Sequence, residues 1–327
     1  MNKRTLEKVL EDIMSQPTAP FHEYHVRGAI QKALSGIKEI RLMEDSFGNL
    51  IAHYKKGRAK PKWAFGAHMD HPGWVRTPGG GREFLGGVPD DYLAANMDKV
   101  AWFGTFGMWN LPAYERWNGS VVARACDDLA GCAIAVAVFQ ELARREIEAN
   151  VYALFTRAEE VGFLGIHRML EEGAYPADVT FISLETSAMV DGAKRDGGPV
   201  IRVGDRLSSF LNEAVGLLDA AAKEHAIPCQ RLLLDKGACE ASAVQAHGLP
   251  AAGISILLEN YHNCGPDTTI LPEKVALDDI DRVVKLLLAL VGAPPATSPA
   301  RKLLDRIKEL DRNNALHEAA ARASWPR

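Results

Sequence analysis

Apolar positions recur at two different periods along this chain of 327 residues, and the alternation between them outlines its architecture. Leu6, Val9, Leu10 and Ile13 fall at helical spacing, as do Val26, Ala29, Ile30, Ala33 and Leu34, with a break at Gln16-Pro17-Thr18-Ala19-Pro20. Strand-like runs follow over residues 39–43, 49–54 and 62–67. From Pro72 to about Ser120 helical signals stop, glycines gather at 79–81, 86 and 87, and Trp102, Phe103, Phe106, Trp109, Tyr114 and Trp117 stand in short runs. That stretch reads as a small β-rich insertion. Beyond it, strands are expected at 121–124, 151–155, 179–184, 199–203, 230–234 and 252–258. Helices are expected at 129–145, 165–172, 208–225, 239–246 and 273–291. Strands alternating with helices predict an α/β fold, a mainly parallel mixed sheet sandwiched by helices.

Composition narrows the function classes. The length allows about two domains. Hydrophobic residues make up 47% and charged residues 24%, as in an ordinary globular protein. A net charge of −4 leaves no basic excess for a phosphate backbone, so no nucleic-acid partner is expected. No apolar run approaches the ~20 residues of a membrane span, and the first residues lack a signal-peptide core. Five scattered cysteines form no CxxC pair, which points to reduced thiols and a cytoplasmic location.

The candidate chemistry lies at strand ends. His68 and Asp70 follow the strand at 62–67, Asp127 and Asp128 follow 121–124, Glu159 and Glu160 follow 151–155, Glu185 follows 179–184, and His262 follows 252–258. Open α/β sheets bind ligands outside the carboxyl ends of their strands. Imidazoles and carboxylates without clustered thiolates suit zinc, cobalt or manganese. Two ions need about three ligands each with one carboxylate shared. That inventory is met with Glu159 left over as a general base, and Asp70 is placed to orient His68 from behind.

Ala67-His68-Met69-Asp70, Arg124-Ala125-Cys126-Asp127-Asp128-Leu129-Ala130-Gly131, Glu159-Glu160-Val161-Gly162 and Tyr261-His262 together resemble the tetrahedral/glutamyl-aminopeptidase family of di-metal peptidases. Gly198-Pro199-Val200, Ala226-Ile227-Pro228-Cys229-Gln230 and Gly248-Leu249-Pro250 extend the likeness over most of residues 1–293. The resemblance implies a zinc-peptidase-like fold and two divalent ions, zinc first, with cobalt or manganese as alternatives. His68, Asp127 and Glu185 would hold one ion; Asp127, Glu160 and His262 would hold the other. Asp127 would bridge them, and the Asp127–Asp128 peptide is expected to be cis. Glu159 would take a proton from a bridging water and pass it to the leaving amine. One ion would polarise the scissile carbonyl, and the other would help hold the substrate's α-amine.

The implied activity is removal of N-terminal residues from short peptides by a homo-oligomer, with no membrane partner. The chain departs from the family's usual pattern at His71, where Glu is usual, and at Glu185 and Glu240, where Asp is usual. Its insertion is also much shorter than the usual dimerisation domain. Residues 1–71 and 121–293 are expected to form the catalytic domain, 72–120 the insertion, and 294–327 a linker plus an amphipathic helix bearing Leu303, Leu304, Ile307, Leu310 and Leu316. Two alternatives share this core. A carboxypeptidase, aminoacylase or deacylase would usually carry a lid domain after the Glu185-type ligand, where this chain has only core elements. A non-catalytic binding protein would be expected to lose Glu159 or Asp127, yet both are present.

Overall fold

A computed structural model describes residues 3–60, 62–292 and 299–323. Helices α1 (Lys3–Met14) and α2 (Tyr24–Leu34) come first, then strands β1 (Ile40–Glu44), β2 (Leu50–Lys56) and β3 (Trp63–His68). The next stretch holds β4 (Gly73–Arg76), β5 (Arg82–Leu85), α3 (Asp90–Ala95), β6 (Val100–Phe103), β7 (Phe106–Trp109), β8 (Glu115–Trp117) and β9 (Ser120–Ala123). After it come α4 (Leu129–Arg144), β10 (Ala149–Thr156), α5 (Leu164–Glu171), β11 (Thr180–Ala188), β12 (Val200–Asp205), α6 (Asn212–Glu224) and β13 (Gln230–Leu234). The remainder is α7 (Glu240–Ala246), β14 (Ala251–Glu259), β15 (Glu273–Ala276), α8 (Leu277–Gly292) and α9 (Pro299–Ala323).

One large mixed sheet runs in the order β1-β2-β10-β3-β11-β14-β15-β9-β8, with β12 branching from β14 and carrying β13. Its centre, β10, β3, β11 and β14, is parallel. Strands buried on both faces need apolar side chains throughout, and every residue of β3 is buried. There Gly66 leaves room for its neighbour: a Cβ on it would lie 2.1 Å from Cζ of Phe181 on β11. Helix α4 is buried on nearly every face, because it lies between the sheet and helices α1, α2 and α8. Its Ala- and Val-rich sequence suits such close packing.

A second sheet, in the order β5-β4-β7-β6, forms within residues 73–109. Its aromatic centre joins Trp74, Trp109 and Phe84, with the two indoles edge-to-face at 6.2 Å. The aromatic run does not act as one unit. Trp117 lies on β8, which pairs with β9 in the large sheet, and it is exposed beneath Lys274.

A second departure from the sequence-based expectation is Glu273, which opens strand β15 rather than the last helix. Residues 273–276 bury alternate side chains and register against β9, and the helical period starts only at Leu277. Helix α9 packs over α6 and exposes Leu303, Leu304, Ile307 and Leu310. Of the linker expected at 294–299, residues 294–298 lie outside the described residues, as does the side chain of Leu316, and Pro299 opens α9. Among the described residues, no helix is long and apolar enough to cross a membrane.

Candidate functional site

Strand ends β3, β10, β11 and β14 and the β9–α4 turn converge on one cleft of about 550 Å³ that holds His68, Asp127, Glu159, Glu160, Glu185 and His262. Asp127 sits between the two imidazoles. Its Oδ1 is 3.4 Å from His68 Nε2, and its Oδ2 is 3.6 Å from His262 Nε2. Glu160 Oε1 lies 3.3 Å from His262 Nε2, while Glu185 Oε2 and Glu159 Oε2 each lie 3.9 Å from His68 Nε2. The Asp127–Asp128 peptide is cis. Asp128 turns away from the cleft and accepts the Gly131 N–H at 3.1 Å, capping α4.

Each imidazole is oriented by a backbone carbonyl on its far nitrogen. His68 Nδ1 meets the Asp70 carbonyl at 3.1 Å, and His262 Nδ1 meets that of Gly87, between β5 and α3, at 2.9 Å. Both Nε2 atoms therefore face the cleft. Asp70 stands behind His68, and its carboxylate has a second set of contacts. It stands 3.6 Å from His68 Nδ1 and accepts the N–H groups of Glu159 and Glu160, each at 3.0 Å, bracing the turn that carries both acids. Ser183 Oγ donates to Glu185 Oε1 at 3.0 Å.

Three supporting residues escaped the sequence reading. Glu273 is fully buried, and its carboxylate accepts from the N–H groups of Cys126, Asp127 and His262, tying two site loops together. Asn263 donates to the Arg124 carbonyl, and its Oδ1 lies 3.1 Å from His71 Nε2. Nδ1 of His71 in turn donates to the Asp127 carbonyl at 2.6 Å. Arg202, buried on β12, lines the cleft and lies 3.3 Å from Ser255 Oγ. In sequence, Glu273 looks like an acidic residue opening a helix, and nothing nearby signals its three backbone partners. None of the cysteines belongs to a candidate metal-holding cluster among the described residues.

Charge is crowded here. Burial, with repulsion from Glu185, Glu160 and Asp70, holds the Glu159 carboxyl well above the usual carboxylate range despite His68. Burial likewise pushes Glu185 up to about 8, and Glu240 and Glu273 up to about 7. Burial works against the imidazolium forms of His68 and His262. Glu159 beside the first and Glu160 beside the second, with Asp127 at both, outweigh it and raise both rings well above their ordinary value. Burial also disfavours the Asp127 carboxylate, but the attraction of the two imidazoles flanking it overcomes that and holds the carboxyl below its ordinary range.

The donor set fits divalent ions. Asp127 Oδ1, Glu160 Oε1 and His262 Nε2 are buried and make no hydrogen bond. Such groups are costly unless another partner satisfies them. His68, Asp127 and Glu185 can converge on one point, and Asp127, Glu160 and His262 on another. The 3.3–3.6 Å separations around His262 lie close to the edge, about 3.3 Å, of a zinc tetrahedron with bonds of about 2.0 Å.

The fold is that of the tetrahedral-type peptidases. The TET1 peptidase of Pyrococcus horikoshii superimposes with a TM-score of 0.72 at 21% identity, over 88% of this chain and 99% of that one. A TET aminopeptidase from a marine-sediment thaumarchaeote gives 0.73 at 16% identity, over 88% and 97%. A protein of Acetivibrio thermocellus named for a proposed aminopeptidase activity is 31% identical over 175 residues, 52% of this chain and 50% of that protein. The match thus spans about half the length of that curated relative. A family model described as M42 glutamyl aminopeptidase matches residues 93–286, and the chain belongs to that family.

Proposed function

We propose that this chain is a metal-dependent aminopeptidase that hydrolyses N-terminal residues from short peptides. The observation that carries the reading is the set of unsatisfied, buried donor atoms on Asp127, Glu160 and His262 beside Glu159. His68, Asp127 and Glu185 would hold one ion, and Asp127, Glu160 and His262 the other, with zinc the first choice and cobalt or manganese alternatives. When bound, two such ions supply Lewis acidity that polarises a peptide carbonyl and makes a water molecule more acidic.

The remaining work falls to the chain. The Glu159 carboxylate takes a proton from the attacking water and delivers it to the departing amine nitrogen. Asp70 keeps Glu159 and Glu160 in place through their backbone N–H groups. The carboxylate-rich floor favours a cationic α-amine over a blocked one. Arg206 and Lys236 line the same cleft and support acidic N-terminal side chains among those accepted. The separate sheet, with Gly87 on His262, supports 72–120 as an insertion into a catalytic domain formed by 1–71 and 121–293. The assemblies described for the TET1 peptidase support a homo-oligomer here. Five free cysteines support a reducing, cytoplasmic setting.

The test is a panel of aminoacyl-p-nitroanilides, including Glu and Leu, each with a free and an N-acetylated amine, assayed with Zn²⁺, Co²⁺ or Mn²⁺. Cleavage confined to free amines and dependent on the ion is the expected result. Equal cleavage of acetylated substrates would point instead to a deacylase or endopeptidase.

A second expectation concerns His71, which braces Asp127 through its carbonyl. His71→Ala should weaken ion binding about 10–100-fold, as loss of an outer partner typically does. In a metal titration of peptidase activity the midpoint should move, while the rate at saturating ion largely recovers.

A further inference from the structure

Away from the cleft, a second group of ligand-type side chains meets on the surface where α5 and α7 pack together. His167 and Glu171 are four residues apart on α5 and so share one face of that helix. His247 caps the C-terminus of α7. Its N–H bonds to the carbonyls of Ala243 and Val244, and Gly248 follows at φ 78°, which fixes where the ring emerges. His167 Nδ1 lies 3.4 Å from His247 Nε2, and His247 Nδ1 lies 3.6 Å from Glu171 Oε1. One ligand atom from each of the three falls within 4.8 Å of the others. All three residues are exposed, and none lines the catalytic cleft.

From this geometry we infer that His167, Glu171 and His247 form a divalent transition-metal site separate from the catalytic pair. Two imidazole nitrogens at 3.4 Å are spaced like neighbouring corners of a zinc tetrahedron, about 3.3 Å apart. The Glu171 carboxylate, 3.6 Å from the other ring nitrogen of His247 and with a ligand atom within 4.8 Å of those of both histidines, is the third ligand, offsets half of a dication's charge and leaves the fourth position to solvent. Arg168, next in sequence to His167, pairs with Glu172 at 2.6 Å. Backbone rigidity at both helices keeps the entropic cost of assembling the site low. An ion there ties α5, which follows the Glu159–Glu160 turn, to the end of α7.

Equilibrium dialysis of the full chain against micromolar Zn²⁺, with bound metal counted by atomic absorption, tests this. The wild type should retain one more ion per chain than His247→Ala and one more than His167→Ala. Peptidase activity should be unchanged in both variants, since neither residue touches the cleft. Equal ion counts in the wild type and both variants overturn the assignment. A Zn²⁺-dependent shift of the His167 and His247 ring resonances in histidine-labelled protein is the second expected sign, and unmoved resonances at saturating Zn²⁺ overturn it equally.

Discussion

Replacing Glu159 by glutamine is expected to lower kcat about 10²–10⁴-fold, the usual range for removing a general acid–base. KM and the number of bound ions should stay as in the wild type. The amide keeps the shape of the carboxylate and cannot accept a proton from water at neutral pH. Nor does the substitution cost stability through lost structure. Burial already holds the Glu159 carboxyl well above its ordinary range, so the folded protein pays to keep it charged. In the ion-free protein a neutral isostere relieves that cost, and the variant should there melt at the wild-type temperature or slightly above it. The bracing contact from Asp70 goes to the Glu159 N–H and survives the change. Paired steady-state kinetics and thermal denaturation separate this outcome from a structural defect. Retention of activity within tenfold would remove Glu159 from the mechanism.

Stripping divalent ions is expected to abolish peptidase activity and to make stability fall as pH rises from about 6 to 9. The sign follows from the site's acids. Glu185 titrates at about 8 in the folded chain against an ordinary 4.5, and Glu240 and Glu273 at about 7. A carboxyl raised in the folded state favours folding fully below its ordinary value and loses that contribution as pH climbs through the folded one. The raised imidazoles of His68 and His262 act in the same direction, since they also bind protons more tightly in the folded chain. Asp127, lowered by its histidine partners, acts only in acid, below this window.

At Glu185, His68 and His262 the ions would take the place of those protons. Stabilisation by Zn²⁺ should therefore grow with pH, because protons compete for the same atoms. One ion at about a thousand times its Kd contributes about 4 kcal/mol, which shifts Tm by about 6 °C for a chain of this size. Thermal scans of chelator-treated protein at pH 6, 7, 8 and 9, with and without added Zn²⁺, check both trends. A stripped protein whose Tm rises through this window would contradict the charge balance described above.

Local pattern reached the strands, the helices and the ends that carry acids and histidines, because burial on both faces forces apolar runs and chemistry must sit where those runs stop. His68, Asp127, Glu159, Glu160, Glu185 and His262 were legible for that reason, and all line one cleft. Position alone did not disclose the partners behind them. Glu273 is far along the chain from Cys126 and Asp127, yet its carboxylate holds both their N–H groups. Gly87 carries no side chain to notice, and its carbonyl orients His262. Asp70 is legible as a partner of the His68 imidazole, but its hold on the backbone N–H groups of Glu159 and Glu160 is not. By itself, then, the sequence determined which residue types reach the sheet's edge. Which backbone groups hold them, and where one carboxylate faces two imidazoles, depended on contacts between distant segments that exist only once the chain is packed.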